Sequence, residues 1–145
     1  MPAWRTPRPK LETMLLEDNN KTLIRAHYDA MINWFEPDAV RRQIADDYFD
    51  HQTGQHQSAE DLIAFAQTMH AAFSDLSVTL NDVIAEGERV AVRVTWRGTH
   101  TGPYGEIAPT GKRFEFTGIV FWRARDGKIV ERWAEVEFSA LIAQL

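Results

Sequence analysis

Two periodicities divide the chain. Up to Phe73 the apolar residues recur at helical spacing, and from Leu76 onward they alternate with polar ones. Ile24, Tyr28, Met31 and Phe35 fall on one face of a helix that Asn19 or Asn20 can N-cap and Pro37 ends. Pro37 also suits the first turn of a second, shorter helix running through Val40 and Ile44 towards Tyr48. Asp50 to Gly54 reads as a loop, and Ser58 with Asp61 forms a capping box before Leu62, Phe65, Ala66, Met69 and Phe73. Three helices are therefore expected first.

The alternating half holds four strands, over Ser77 to Leu80, Val90 to Trp96, Phe114 to Trp122 and Lys128 to Phe138. Glu86-Gly87-Glu88 turns between the first two. Asp126-Gly127 joins the last two, and this dipeptide suits a type I′ turn because both central residues need positive φ. Neighbouring strands then pair antiparallel, with one long connection from Gly102 to Lys112. The economical architecture is α+β, three N-terminal helices closing a curved, mainly antiparallel sheet. Such a sheet encloses a pocket.

The last strand carries the candidate chemistry. Ile129, Glu131, Trp133, Glu135 and Glu137 share one side, and Val130, Arg132, Ala134, Val136 and Phe138 the other. Turning Trp133 inward takes Glu135 and Glu137 with it, and buried carboxylates are rarely free of a paired or functional role. Two carboxylates two residues apart on a strand lie roughly 7 Å apart and, at an effective dielectric of about 20, repel by about 2 kcal/mol. That is enough to bring one of them nearer neutrality for proton transfer. The alternative is a solvent-facing strand, or ion pairs with Arg93, Arg97 or Arg123. The apolar opposite side is expected to meet a core or a second subunit.

Composition narrows the rest. The 145 residues are 44% hydrophobic, enough for one core, and the three prolines and three basic residues among the first ten mark an N-terminal arm. We place the arm at 1–18 and the domain at 19–145. Lys and Arg number 16 against 21 for Asp and Glu, which gives no field for holding nucleic acid. The sequence contains no cysteine, no signal-peptide core and no run of membrane-spanning length, so a cytoplasmic protein is expected. Gly105 to Lys112 is no phosphate loop, since five residues separate its glycines and Arg113 stands where Ser or Thr is needed. His51 and His56 near Asp47 and Asp50 lack metal-ligand spacing, and no Gly-x-Ser-x-Gly elbow occurs.

Taken together, Gly98 to Gly105, Pro109 to Arg113, Phe116-Thr117-Gly118, Asp126 to Trp133 and the closing Leu141 to Leu145 resemble the SnoaL-like polyketide cyclase or ester cyclase family. Tyr48 to His51 and Ala72 to Leu76 agree with that resemblance, which covers the chain from Asn20. It implies a nuclear transport factor 2-like cone that dimerises through its sheet and needs no metal or organic cofactor. It further implies ring closure by intramolecular aldol condensation, with an aspartate as acid/base four residues after the family's tryptophan. That position is Glu137 here. The resulting expectation is an enzyme acting on a hydrophobic carbonyl compound, with Glu137 as acid/base and His51 as its hydrogen-bonding partner. Tyr28, Phe35, Phe65, Met69, Trp96, Trp133 and Glu135 are expected around the ligand. A ligand-binding module without catalysis and a dimerisation scaffold are the alternatives.

Overall fold

The computed structural model describes residues 10–145, so the proline-rich start of the expected arm lies outside the described residues. Helix α1, Leu11–Tyr28, begins eight residues before Asn19. Leu-Glu-Thr-Met-Leu-Leu-Glu holds neither Gly nor Pro, so nothing stops the helix from extending towards its N-terminus. Asn20 is not a cap: its side-chain amide donates to the Gly87 carbonyl, and Gly87 N–H donates to Glu17. These bonds pin α1 across the turn between two strands.

A π-helical turn, Asp29–Asn33, follows, with Trp34 N–H donating to the Asp29 carbonyl at 2.9 Å. Asn33 then behaves like a strand residue, accepting from Val78 N–H (2.9 Å) and donating to the Val78 carbonyl (3.1 Å). Helix α2, Pro37–Gln43, starts with proline as expected but ends early. The residues expected to continue it form strand β1, Ile44–Asp50. Val40, Ile44 and Tyr48 are spaced as on a helix, yet pairing with a neighbouring strand overrides that local preference. A short β2, Gln55–His56, pairs with β1, and α3, Ala59–Ala72, opens with the Ser58–Asp61 capping box formed in both directions.

Strands β3 (Ser77–Glu86), β4 (Arg89–Thr99), β5 (Arg113–Arg125) and β6 (Lys128–Val136) form the meander, each at least as long as its alternating pattern or within two residues of it. Asp126 and Gly127 both take positive φ (52° and 75°), the requirement of the primed turn. The sheet order is β2-β1-β6-β5-β4-β3, with β1 parallel to β6 and the other pairs antiparallel. A last helix, α4 (Phe138–Gln144), replaces the end of the expected strand. Its Gln144 pairs with both backbone groups of Glu115, continuing the hydrogen bonding of β5 beyond the point where β6 stops.

Helices and sheet enclose one core that includes Ile24, Tyr48, Phe73, Val92 and Ile129, so the α+β class is as expected. The faces of β6 are reversed from expectation. Arg132 lies opposite Trp122 and Ala134 opposite Val120, both buried, whereas Trp133 lies opposite Phe121 and Glu135 opposite Ile119, both exposed. Four apolar side chains and one arginine outweigh Ile129 and one indole among three carboxylates when a face is chosen for burial, and an irregularity in the register between Arg123 and Ala124 lets Ile129 reach the core as well.

Candidate active site

Between the concave face of the sheet and the helices lies a cavity of about 140 Å³. Tyr28, Met31, Leu62, Phe65, Trp96, Trp122 and Phe138 give it apolar walls. Phe65 is partly exposed, and with the exposed Gln52 and Thr53 it marks the mouth. The polar end is built from β1 and β6. Their parallel register sets Asp50 beside Arg132, and strand alternation turns Tyr48 inward with Asp50.

Asp50 is buried and accepts from Arg132 Nη1 at 2.9 Å and from Gln52 N–H at 2.8 Å. The same Nη1 donates to Gln52 Oε1 at 2.9 Å, and the guanidinium carbon sits 5.5 Å from the centre of the Trp122 ring. Charge here is paired and hydrogen-bonded, the condition on which an apolar interior tolerates it.

His27 faces the same cavity, its Nδ1 2.9 Å from Gln43 Oε1 and its ring edge-on to Trp122. Burial pushes its pKa down to about 4, the Gln43 hydrogen bond opposing and the Arg132 charge reinforcing the shift. The imidazole is therefore neutral at pH 7, and donation to Gln43 leaves Nε2 as an acceptor. Burial also raises the two phenols, Tyr28 to about 12 and Tyr48 likewise upward, so both remain hydroxyl donors. Among the described residues Tyr48 Oη, Trp96 Nε1, Trp122 Nε1 and Gln57 Oε1 are buried without a well-aligned hydrogen-bond partner, Tyr48 facing Asp50 and Trp122 facing Tyr28. Each lines the cavity.

Of the residues expected around a ligand, Tyr28, Phe65 and Trp96 line the cavity. Met69 is buried elsewhere in the core, and Phe35 packs against His70 with left-handed φ (54°). Trp133 and Glu135 go with the reversed face of β6. Trp133 stacks on His51 outside the cone (4.6 Å between centres), with the Arg89 guanidinium over its ring. His51 Nε2 is 2.8 Å from Glu131, which also binds Arg123; the His51 hydrogen bond, then Arg123, hold the Glu131 carboxyl below its ordinary range. Glu137 is exposed and precedes α4, outside the cavity and away from His51. The expected Glu137–His51 pair is thus replaced by His51–Glu131 on the outer surface. Asp50, Arg132, Tyr48, Trp122 and His27 are cavity-lining residues that alternation on the last strand alone did not reveal. A lone arginine on an otherwise apolar strand face was the available signal.

Among the described residues no three of His, Asp and Glu converge as a metal-ligand set, and no helix is long and apolar enough to cross a membrane. The model of the SnoaL-like polyketide cyclase family matches residues 22–145. IdmH of Streptomyces antibioticus, a candidate polyketide cyclase, superposes with a TM-score of 0.76 at 31% identity, covering 86% of this chain and 96% of its own. AclR of Streptomyces galilaeus, a candidate hydroxylase, gives 0.75 at 26% identity, covering 88% and 80%. A SnoaL-like protein of Jannaschia sp. CCS1 shares the fold at 20% identity, with a TM-score of 0.77 and coverage of 97% and 96%. No curated protein matches the chain significantly.

Proposed function

The chain belongs to the SnoaL-like polyketide cyclase family, and from that membership we propose that it is a cofactor-independent acid/base enzyme acting on a hydrophobic carbonyl compound held in the cone. The observation that carries this reading is a carboxylate, Asp50, held inside an aromatic cavity. In the proposed reaction the Asp50 carboxylate removes a proton from the carbon next to a substrate carbonyl, leaving an enolate. That carbon attacks a second carbonyl of the same molecule and closes the ring, and the new alkoxide takes up the proton. Hydrogen-bond donors around the cavity, Tyr48 Oη and the Trp96 and Trp122 indoles, suit an oxygen that gains negative charge in the transition state. Glu137, exposed outside the cavity, has no part in this version.

The test is a panel of aromatic polyketide esters and smaller ketones assayed with Asp50→Asn and Glu137→Gln. We expect Asp50→Asn to lower kcat by roughly 10²-fold or more with ligand affinity nearly retained, and Glu137→Gln to leave it unchanged. Undiminished turnover in Asp50→Asn sinks the assignment. A binding module without catalysis is the second reading, favoured by the commitment of Asp50 to Arg132 and Gln52 at rest. It requires ligand binding with no turnover across the panel.

We also propose a homodimer through the outer face of the sheet, where Ile84, Ile119 and Phe121 are exposed. Val130, Val136 and Phe138, first expected to form that contact, face inward or pack on the core.

A further inference from the structure

The hydrogen-bonding groups of the cavity are unbalanced. Both bonds made by the Arg132 side chain leave from Nη1, so among the described residues Nε and Nη2 have no acceptor. Those two N–H groups form the side of the guanidinium that can hold both oxygens of one carboxylate. The Trp96 indole N–H adds a buried donor with no protein acceptor, whereas the Tyr48 hydroxyl faces Asp50 and the Trp122 indole faces Tyr28; the free acceptors of the cavity are Gln57 Oε1 and His27 Nε2. A guanidinium edge and an indole N–H left without protein acceptors in an aromatic cavity are groups that the acceptors of a ligand can satisfy. Asp50 supplies negative charge to Arg132 but uses only Nη1.

Size supplies the other limit. A dry cavity of about 150 Å³ accommodates a benzene-sized guest, and this one measures about 140 Å³. One ring fills it, and a second can lie in the mouth beside Phe65. The walls of Tyr28, Trp96 and Trp122 offer ring edges and faces to a flat guest.

We infer that the cavity takes a planar aromatic carboxylate of one or two rings, its carboxylate seated on the free side of Arg132 and its rings between the aromatic walls. This rests on the reading of the cavity as the ligand site, and it narrows the carbonyl compound proposed above to one that carries an acid group. Arg132 is then a specificity residue rather than a proton-transfer group.

The test compares benzoate and 1-naphthoate with their methyl esters by calorimetry on the full chain, with the indole N–H resonances followed by NMR. 1-Naphthoate should bind once per chain, at least about tenfold more tightly than its ester, and shift the Trp96 and Trp122 signals. Arg132→Lys keeps a positive charge beside Asp50 but lacks the two-pronged edge. It should lose about tenfold for the carboxylate and little for the ester, with the melting temperature checked alongside. Esters that bind and shift both indoles as strongly as the acids overturn the carboxylate inference while leaving the cavity as ligand site. Failure of every compound to shift either indole overturns the inference and the ligand-site reading together. Unchanged carboxylate affinity in a folded Arg132→Lys removes Arg132 from recognition.

Discussion

At the residue scale, His27 makes a prediction independent of any substrate. Its pKa is about 4 in the folded chain and ordinarily 6.5, so between those values the unfolded chain binds more protons. Stability is therefore fully present above about pH 6.5 and is lost as the pH falls towards 4. A shift of this size corresponds to roughly 3 kcal/mol by the lower limit. Urea denaturation of the parent and of His27→Gln at pH 7 and pH 4.5 should show a smaller acid loss in the variant. An equal loss in both would mean that His27 is not held neutral by burial. The Asp50–Arg132 pair makes a second prediction. Removing one partner strands a buried charge, and Arg132→Ala should cost about 3–5 kcal/mol in the same assay. Neither residue announced itself in the sequence, because a histidine or an aspartate in an aromatic stretch is legible only once its strand partner is known. The inward placement of Trp96 and Tyr28 was legible in the sequence because large apolar residues on a periodic face point to the interior whichever partner they meet.

At the element scale, strands were more legible than their faces. The alternation of β4, β5 and β6 and the two positive-φ residues of the Asp126-Gly127 turn were readable because both are local properties of the chain. The identity of β1 was not, since its spacing also fits a helix and its strand character comes from β6, about 80 residues away. The orientation of β6 was misread because Trp133 was given more weight than the apolar row beside it. One consequence is measurable at the turn. Gly127→Val puts a β-branched residue at φ 75°, which strains the hairpin that sets the register of β6. The melting temperature should fall, and the ligand-induced indole shifts should weaken with it, because a one-residue slip turns Arg132 out of the cavity. An unaltered melting temperature would show that the turn tolerates a side chain in the left-handed region.

At the scale of the whole molecule, the proposed dimer rests on the outer face of the sheet. Ile119 and Phe121 alternate on β5 with residues that fill the core, so their exposure follows from the register. Light scattering at micromolar concentration should give twice the chain mass, and Phe121→Glu should reduce it to one chain while leaving the inward-facing cavity intact. A parent that scatters as a single chain refutes the dimer. The other boundary of the sheet is β3, its terminal strand. An uncovered terminal strand is a template on which further copies can stack without limit, towards fibrils rather than a closed pair. The side-chain amide of Asn33 occupies the N–H and carbonyl of Val78 on that strand, and so acts as a stopper against open-ended growth.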